Sequence, residues 1–304
     1  MALSDYLATE VGEDWADGIL SRREALRRLA LLGLSASSAI ALLEACAPAG
    51  PASPTSASGS AGSGSGSSQG SSAASSFPIE GEAITFGDDQ RLQGFFAAAK
   101  GAPRGAMLVI HENRGLNDHT RSVASRLARD GYSSLAIDLL SEEGGTDAVA
   151  QGEVQAVLSR ATSERLVGDM NAGLDELERR VPGAKLGIIG FCFGGGMVWA
   201  LLNAGTPRLA AAIPFYGPAP ASPDFSPDRA AVFGVYAELD ERVNASRPTA
   251  EAALKAAGLD YQIKVYPGVD HAFFNDTGAR YNAEQAAAAY ADVLDWLGTH
   301  LSGG

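Results

Sequence analysis

An α/β fold, a mostly parallel sheet with helices on both faces, is predicted by three observations. From Met107 onward, short apolar runs alternate with stretches in which Ala or Leu recurs at spacings of three and four, the signatures of strands buried on both faces and of the helices that cover them. One such run, Leu186 to Ile189, leads through Gly190-Phe191-Cys192-Phe193-Gly194 into Gly195-Gly196-Met197-Val198-Trp199-Ala200-Leu201-Leu202, so a strand turns sharply through a cysteine into a helix. Two further reactive side chains, Asp240 and His271, each directly follow a later apolar run. In such sheets the crossovers are right-handed and ligands bind beyond the carboxyl ends of the strands.

Taken in order, residues 1–46 stand apart from this pattern. Ser21-Arg22-Arg23-Glu24-Ala25-Leu26-Arg27 precedes an uncharged run from Leu29 to Leu43, and about 15 residues is short for a helix that spans a bilayer. The segment reads as an export signal of the twin-arginine type; a surface helix with basic residues at one end is the alternative. Leu43-Glu44-Ala45-Cys46 resembles a bacterial lipobox with an unusual Glu44, which makes Cys46 the expected lipidation site and leaves ordinary cleavage or a retained anchor open. Residues 47–76 carry no charge and consist almost wholly of Ser, Gly, Ala and Pro. They bury too little apolar surface to offset their ordering entropy and are expected to form a flexible tether with a reach of roughly 30 Å. The chain is thus expected outside the cytoplasmic membrane, periplasmic or at the cell surface and anchored through Cys46.

Residues 77–304 have the length of one large domain. Ala83 to Phe86 and Leu92 to Phe96, joined by a loop that begins Gly87-Asp88-Asp89, predict an antiparallel hairpin. Strands are then expected at Met107 to Ile110, Ser134 to Ile137, Leu186 to Ile189, Ala211 to Phe215, Val232 to Tyr236 and Tyr261 to Val265. Helices are expected at Thr120 to Ala128, Val167 to Leu177, Arg247 to Ala257 and Asn282 to Leu297.

The whole chain has 23 basic and 36 acidic residues, a net of −13. Residues 1–46 account for 4 basic and 7 acidic of these, which leaves the remainder acidic and argues against nucleic acid as a partner. Cys46 and Cys192 are the only cysteines, so no disulfide framework is expected. His111, His119, His271 and His300 show no metal-ligand spacing. No cofactor and no metal are expected.

The glycines around Cys192 have a steric reason. At a nucleophile elbow the central residue holds a strained backbone, and side chains two positions to either side would collide where strand and helix approach. A thiol suits the place, because a helix N-terminus stabilises the nucleophilic thiolate. The order nucleophile, acid, histidine is that of α/β-hydrolases. His271 would pair with Cys192 and Asp240 would orient the imidazole, with Asp240 as a helix N-terminal acid and Glu238 as the acid instead standing as alternatives. An oxyanion needs two backbone N–H donors. One belongs to Phe193, the other to the loop Val109-Ile110-His111-Glu112-Asn113-Arg114-Gly115, with Asn113 the expected donor.

The Gly-Phe-Cys-Phe-Gly-Gly elbow, the His111-Glu112-Asn113 loop, Asp240 and His271 together resemble the dienelactone hydrolase (carboxymethylenebutenolidase) family, from about Phe77 to the C-terminus. The resemblance implies an α/β-hydrolase fold, hydrolysis of small esters or lactones through an acyl-thioester, and a role for Glu112 in holding the resting thiol and helping to deprotonate it. Without the resemblance, Glu112 is a charged residue at a strand end, equally a site or a surface group, and His111 reads as structural. The family also implies two arginines that grip a substrate carboxylate, one shortly after the catalytic histidine. Here that position is Asn275, which is therefore expected to contact substrate. Arg160 and Arg165 are candidates for the other arginine, and Arg280 is a further substrate-binding candidate. The competing class is a tethered ligand-binding protein of the same fold without turnover.

Overall fold

The computed structural model describes residues 3–47 and 74–302, which fall into two compact units, 2–72 and 73–304. The expected tether, except at its two ends, lies outside the described residues.

The first unit consists of three helices, α1 (Leu3–Ala16), α2 (Arg22–Leu31) and α3 (Ala36–Cys46). Ser21 caps α2 by accepting from the Glu24 N–H at 3.2 Å, and Arg28 reaches back to Glu24 at 2.9 Å, so the paired arginines open a capped helix. Gly33, at φ +90°, ends that helix, and the uncharged run Leu29 to Leu43 is thereby divided between α2 and α3. The three helices meet around Ala8, Val11, Ala25, Leu29, Ala39 and Leu43. Cys46 closes the packing against α1: a Cβ added at Gly12 would lie 2.8 Å from its Sγ. Among the described residues no helix is long and apolar enough to cross a membrane.

The second unit is built on one eight-stranded sheet. Its strands are β1 (Glu82–Phe86), β2 (Leu92–Ala97), β3 (Gly105–Ile110), β4 (Tyr132–Asp138), β5 (Leu186–Phe191), β6 (Leu209–Phe215), β7 (Ala231–Ala237) and β8 (Tyr261–Tyr266), in the spatial order β1-β2-β4-β3-β5-β6-β7-β8. The β1–β2 hairpin and the β2–β4 pair are antiparallel, and every pair from β4 to β8 is parallel. Strands β3 to β7 are buried along almost their whole length, as their continuous apolar sequences require.

Helices α4 (Asp118–Arg129), α5 (Val154–Arg160), α6 (Ser163–Arg180), α7 (Phe193–Asn203), α8 (Glu241–Asn244), α9 (Arg247–Ala257) and α10 (Ala283–His300) complete the unit. Alternation along β3 shows that both faces are covered. Leu108 packs against Gly173 of α6, while a Cβ at Gly105, on the opposite face, would meet Leu301 just past α10 at 3.0 Å. The chain enters the domain before residue 77. Asp276 accepts from the Ser75 hydroxyl at 2.8 Å and from the Ser76 N–H at 2.6 Å, and Phe77 lies 4.1 Å from the Arg126 guanidinium.

Candidate active site

The carboxyl ends of β3, β5, β6, β7 and β8 bring the candidate residues together, and the elbow after β5 sets their geometry. Cys192 sits at φ 56°, ψ −117°, a backbone that side-chain-bearing residues rarely adopt. Its N–H donates to the Phe215 carbonyl of β6 at 3.0 Å. A Cβ at Gly190 would fall 2.2 Å from the Gly194 carbonyl oxygen, and one at Gly194 would fall 2.5 Å from that of Ile110, so neither position tolerates a side chain. Cys192 is buried at the N-terminus of α7. Phe193 opens that helix, where the first N–H groups have no partner within it.

Asp240 and His271 face each other from the loops after β7 and β8. His271 Nδ1 lies 2.6 Å from Asp240 Oδ2, and a His271 ring nitrogen lies within 4.8 Å of Cys192 Sγ. Asp240 is also the cap of α8, its Oδ1 accepting from the Val243 N–H at 3.0 Å, so its two oxygens serve both readings that its sequence allows. Burial opposes the charge on Asp240, but the adjacent His271 outweighs it and holds the carboxyl below its ordinary range. Glu238 is placed differently: its carboxylate accepts from the Gly268 N–H at 2.7 Å and is exposed.

Glu112 lies in the loop after β3, two residues past Ile110, and Ile110 pairs with Gly190, two residues before Cys192. Both residues therefore leave the carboxyl ends of neighbouring parallel strands, two positions past a paired residue. Asn275 Nδ2 donates to Glu112 Oε2 at 2.5 Å, and the Tyr216 hydroxyl donates to Oε1 at 3.4 Å. Asn275, expected to contact substrate, thus turns its amide to Glu112, while its Oδ1 accepts from the Thr277 N–H and hydroxyl at 3.0 and 2.7 Å. Tyr216 has φ 34° and stands edge-on to the His271 ring at 5.1 Å. Burial, then the acidic groups Glu112 and Cys192, push its hydroxyl well above the usual range, so it remains a donor.

The loop that carries Glu112 and the buried Asn113 is fixed from below. His111 Nδ1 lies 2.6 Å from the Glu112 carbonyl and its Nε2 accepts from the Leu139 N–H at 3.1 Å, which fixes one neutral tautomer. Burial lowers its pKa in keeping with that neutral form. Asp138 at the end of β4 binds Thr146, whose hydroxyl accepts from the Leu116 N–H at 2.8 Å. Gly115, at φ +79°, passes so close that a Cβ there would lie 2.3 Å from that hydroxyl.

Residues 92–301 match the profile of the dienelactone hydrolase family. The chain belongs to that family. A relative from Methylorubrum extorquens is 32% identical over 214 residues, 66% of this chain and 73% of its own. One from Saccharolobus solfataricus is 29% identical over 257 residues, 72% and 98% of the two chains. Both carry the name "Putative carboxymethylenebutenolidase". The crystal structure of a "Putative Dienelactone Hydrolase" from Klebsiella pneumoniae superposes with a TM-score of 0.63 at 26% identity, covering 72% of this chain and 98% of that one. With the strand order above, this establishes the α/β-hydrolase fold.

Within this dienelactone hydrolase fold the remaining candidates scatter. Arg165 is bound to Glu143 at 2.6 Å and to the Leu139 carbonyl at 2.7 Å, Arg160 is exposed at the end of α5, and Arg280 is half-buried in the segment that precedes α10. Sequence reasoning missed Tyr216. The available signal was its place directly after β6, next to the elbow strand, in Phe215-Tyr216-Gly217, where Gly217 packs against Gly195.

Proposed function

We propose that this protein hydrolyses carboxylic esters or lactones with Cys192 as nucleophile, His271 as base and acid, and Asp240 as the residue that orients the imidazole. The observation that carries the reading is the line from Asp240 through His271, at 2.6 Å, to a ring nitrogen within 4.8 Å of the Cys192 thiol at a strained elbow. His271 takes the thiol proton and the thiolate attacks the acyl carbon, so a C–S bond forms while the carbonyl becomes an oxyanion. The N–H groups of Phe193 and Asn113 receive that oxyanion. Its collapse breaks the acyl C–O bond, and His271 gives its proton to the leaving alkoxide. Water, deprotonated by His271, then attacks the acyl-thioester, and its collapse releases the acid and returns the proton to sulfur. Asp240 stays ionised throughout and holds Nδ1–H, which leaves Nε2 for these transfers. Mixing the protein with a p-nitrophenyl ester of a short acid is expected to give a burst of p-nitrophenol, one equivalent per site, abolished by prior alkylation with iodoacetamide. Steady turnover that survives complete alkylation would sink the reading.

A further inference from the structure

A second buried histidine paired with a carboxylate takes no part in the reaction above. His119, the second residue of α4, lies 2.8 Å through Nδ1 from Asp276 Oδ1, with both side chains almost wholly out of solvent. Burial would raise the Asp276 carboxyl, but the bonds from His119, Ser75 and Ser76 hold it well below its ordinary range. It is therefore an ionised acceptor, and His119 donates to it from Nδ1–H. Nε2 of the same ring is buried and has no hydrogen-bond partner among the described residues, so the imidazole spends its polar contact on Asp276. The ring stands edge-on to Phe191, the residue before Cys192, at 5.9 Å, and to Phe274, three residues past His271, at 6.1 Å.

The topology gives this pair a task. Cys192 leaves β5 and His271 follows β8, with β6 and β7 between them. Three strand spacings, about 14 Å, separate the two strand ends, so sheet pairing does not set the distance from imidazole to thiol. The loop after β8 must reach back over two strand ends and be held there. Beyond His271, Phe274 stacks on Phe191 with 5.3 Å between centroids, and Asp276 ends at His119 on α4, which joins β3 to β4 on the far side of β5.

We propose that His119 is a positioning residue for the reaction: through Asp276 it moors on α4 the far end of the loop that bears His271, and so holds the imidazole at the Cys192 thiol. The inference rests on Cys192 and His271 as nucleophile and base. A displacement of about 1 Å in such a pair is enough to cost roughly a hundredfold in rate.

His119→Gln and His119→Asn separate the bond from the bulk of the ring. The Asn amide reaches the place of Nδ1 and keeps a donor for Asp276, whereas the Gln amide extends to the place of Nε2 and leaves Asp276 without one. His119→Gln is expected to lower kcat for a p-nitrophenyl ester roughly tenfold to a hundredfold with KM little changed. It is also expected to slow iodoacetamide alkylation of Cys192 at pH 7 about tenfold and to leave the rate at pH 10 unchanged, because an imidazole out of place no longer keeps the thiol reactive at neutral pH. His119→Asn is expected to recover most of both. A role confined to stability would lower Tm and leave alkylation at pH 7 as it is. Parental kcat and parental alkylation in a folded His119→Gln overturn the proposal, and so does a His119→Asn as impaired as His119→Gln. Should His119→Gln not fold, His119→Leu is measured in its place against the same outcomes; if only His119→Asn folds, His119 serves the fold and the proposal falls. The two readings fail separately. Parental turnover that survives complete alkylation of Cys192 removes the nucleophile, whereas turnover that alkylation abolishes, beside a His119→Gln that behaves as the parent, removes the positioning role alone.

Discussion

At the scale of single residues, the site assigns different work to chemically similar groups. Asp240 and Glu112 are both buried carboxylates, yet Asp240 faces an imidazole and Glu112 faces an amide and a phenol. The first arrangement fixes a tautomer; the second fixes only where the carboxyl lies. Asp240→Asn is accordingly expected to lower kcat by about a hundredfold or more with KM little changed, because the imidazole loses the partner that holds it. Cys192→Ser is expected to retain only a trace of activity, since a hydroxyl is far more basic than a thiol and the helix N-terminus favours a preformed thiolate. Single-turnover and steady-state rates on one ester check both, and near-parental turnover by Cys192→Ser would show that thiolate formation is not the site's contribution. Most of this set was legible in the sequence, because a nucleophile elbow constrains its neighbours through close packing and leaves glycines as a record. The orientation of Asn275 was not legible, since position after His271 fixes where an amide lies but not which group it turns to. Tyr216 left a weaker mark, a tyrosine at a strand end.

At the scale of elements, the sheet is the legible part and the connections are not. Each expected strand is present, most of them one or two residues longer than the run that announced it, because backbone pairing continues beyond one or both ends of that run. The segment between β4 and α6 carries no period, and its form comes from Asp138, which binds the backbone and hydroxyl of Thr146. Helix α6 bears a cost of its own. Burial pushes the Asp169 carboxyl up to about 6, with Arg165 opposing and Glu142 and Glu143 adding to the rise. A carboxyl whose folded pKa is raised above the unfolded value favours the fold while protonated. That contribution is present below about pH 4 and is lost as pH rises through about 6. Asp169→Asn is therefore expected to stabilise the protein at pH 8, by at most about 3 kcal/mol, and to change little at pH 4. Urea denaturation at the two pH values measures it; a gain of the same size at both would mean that packing, not charge, controls the position.

At the scale of the whole molecule, the point where the chain enters the second unit is tied to the loop that bears the candidate site. Asp276 directly follows Asn275 and accepts from His119 at 2.8 Å as well as from Ser75 and Ser76. Phe77 lies over Arg126, which also lies 5.0 Å from the Phe274 ring in the same loop. Composition alone assigns the two serines to the tether, because Ser75 and Ser76 are indistinguishable from the serines before them until a carboxylate 200 residues away receives them. The Asp276 carboxyl is held well below its ordinary range: burial would raise it, but the bonds from His119, Ser75 and Ser76 prevail. A chain that begins at residue 74 keeps these contacts, and one that begins at residue 78 loses the serines and Phe77. Both lack the N-terminal helices, so the comparison isolates the clasp. The shorter chain is expected to be less stable at neutral pH by about 1 to 3 kcal/mol, roughly 2 to 10 °C in Tm for a domain of this size. The serine share of that difference belongs to a depressed carboxyl, so it is present above the ordinary carboxylate range and is lost only as pH falls through the depressed folded value of Asp276. Thermal melts at pH 7 of the two chains, and of Phe77→Ala in the longer one, decide the matter. Equal midpoints of the two chains would show that the clasp adds nothing to the loop it holds, and a Phe77→Ala midpoint as low as that of the shorter chain would assign the stabilisation to Phe77 and Arg126 alone.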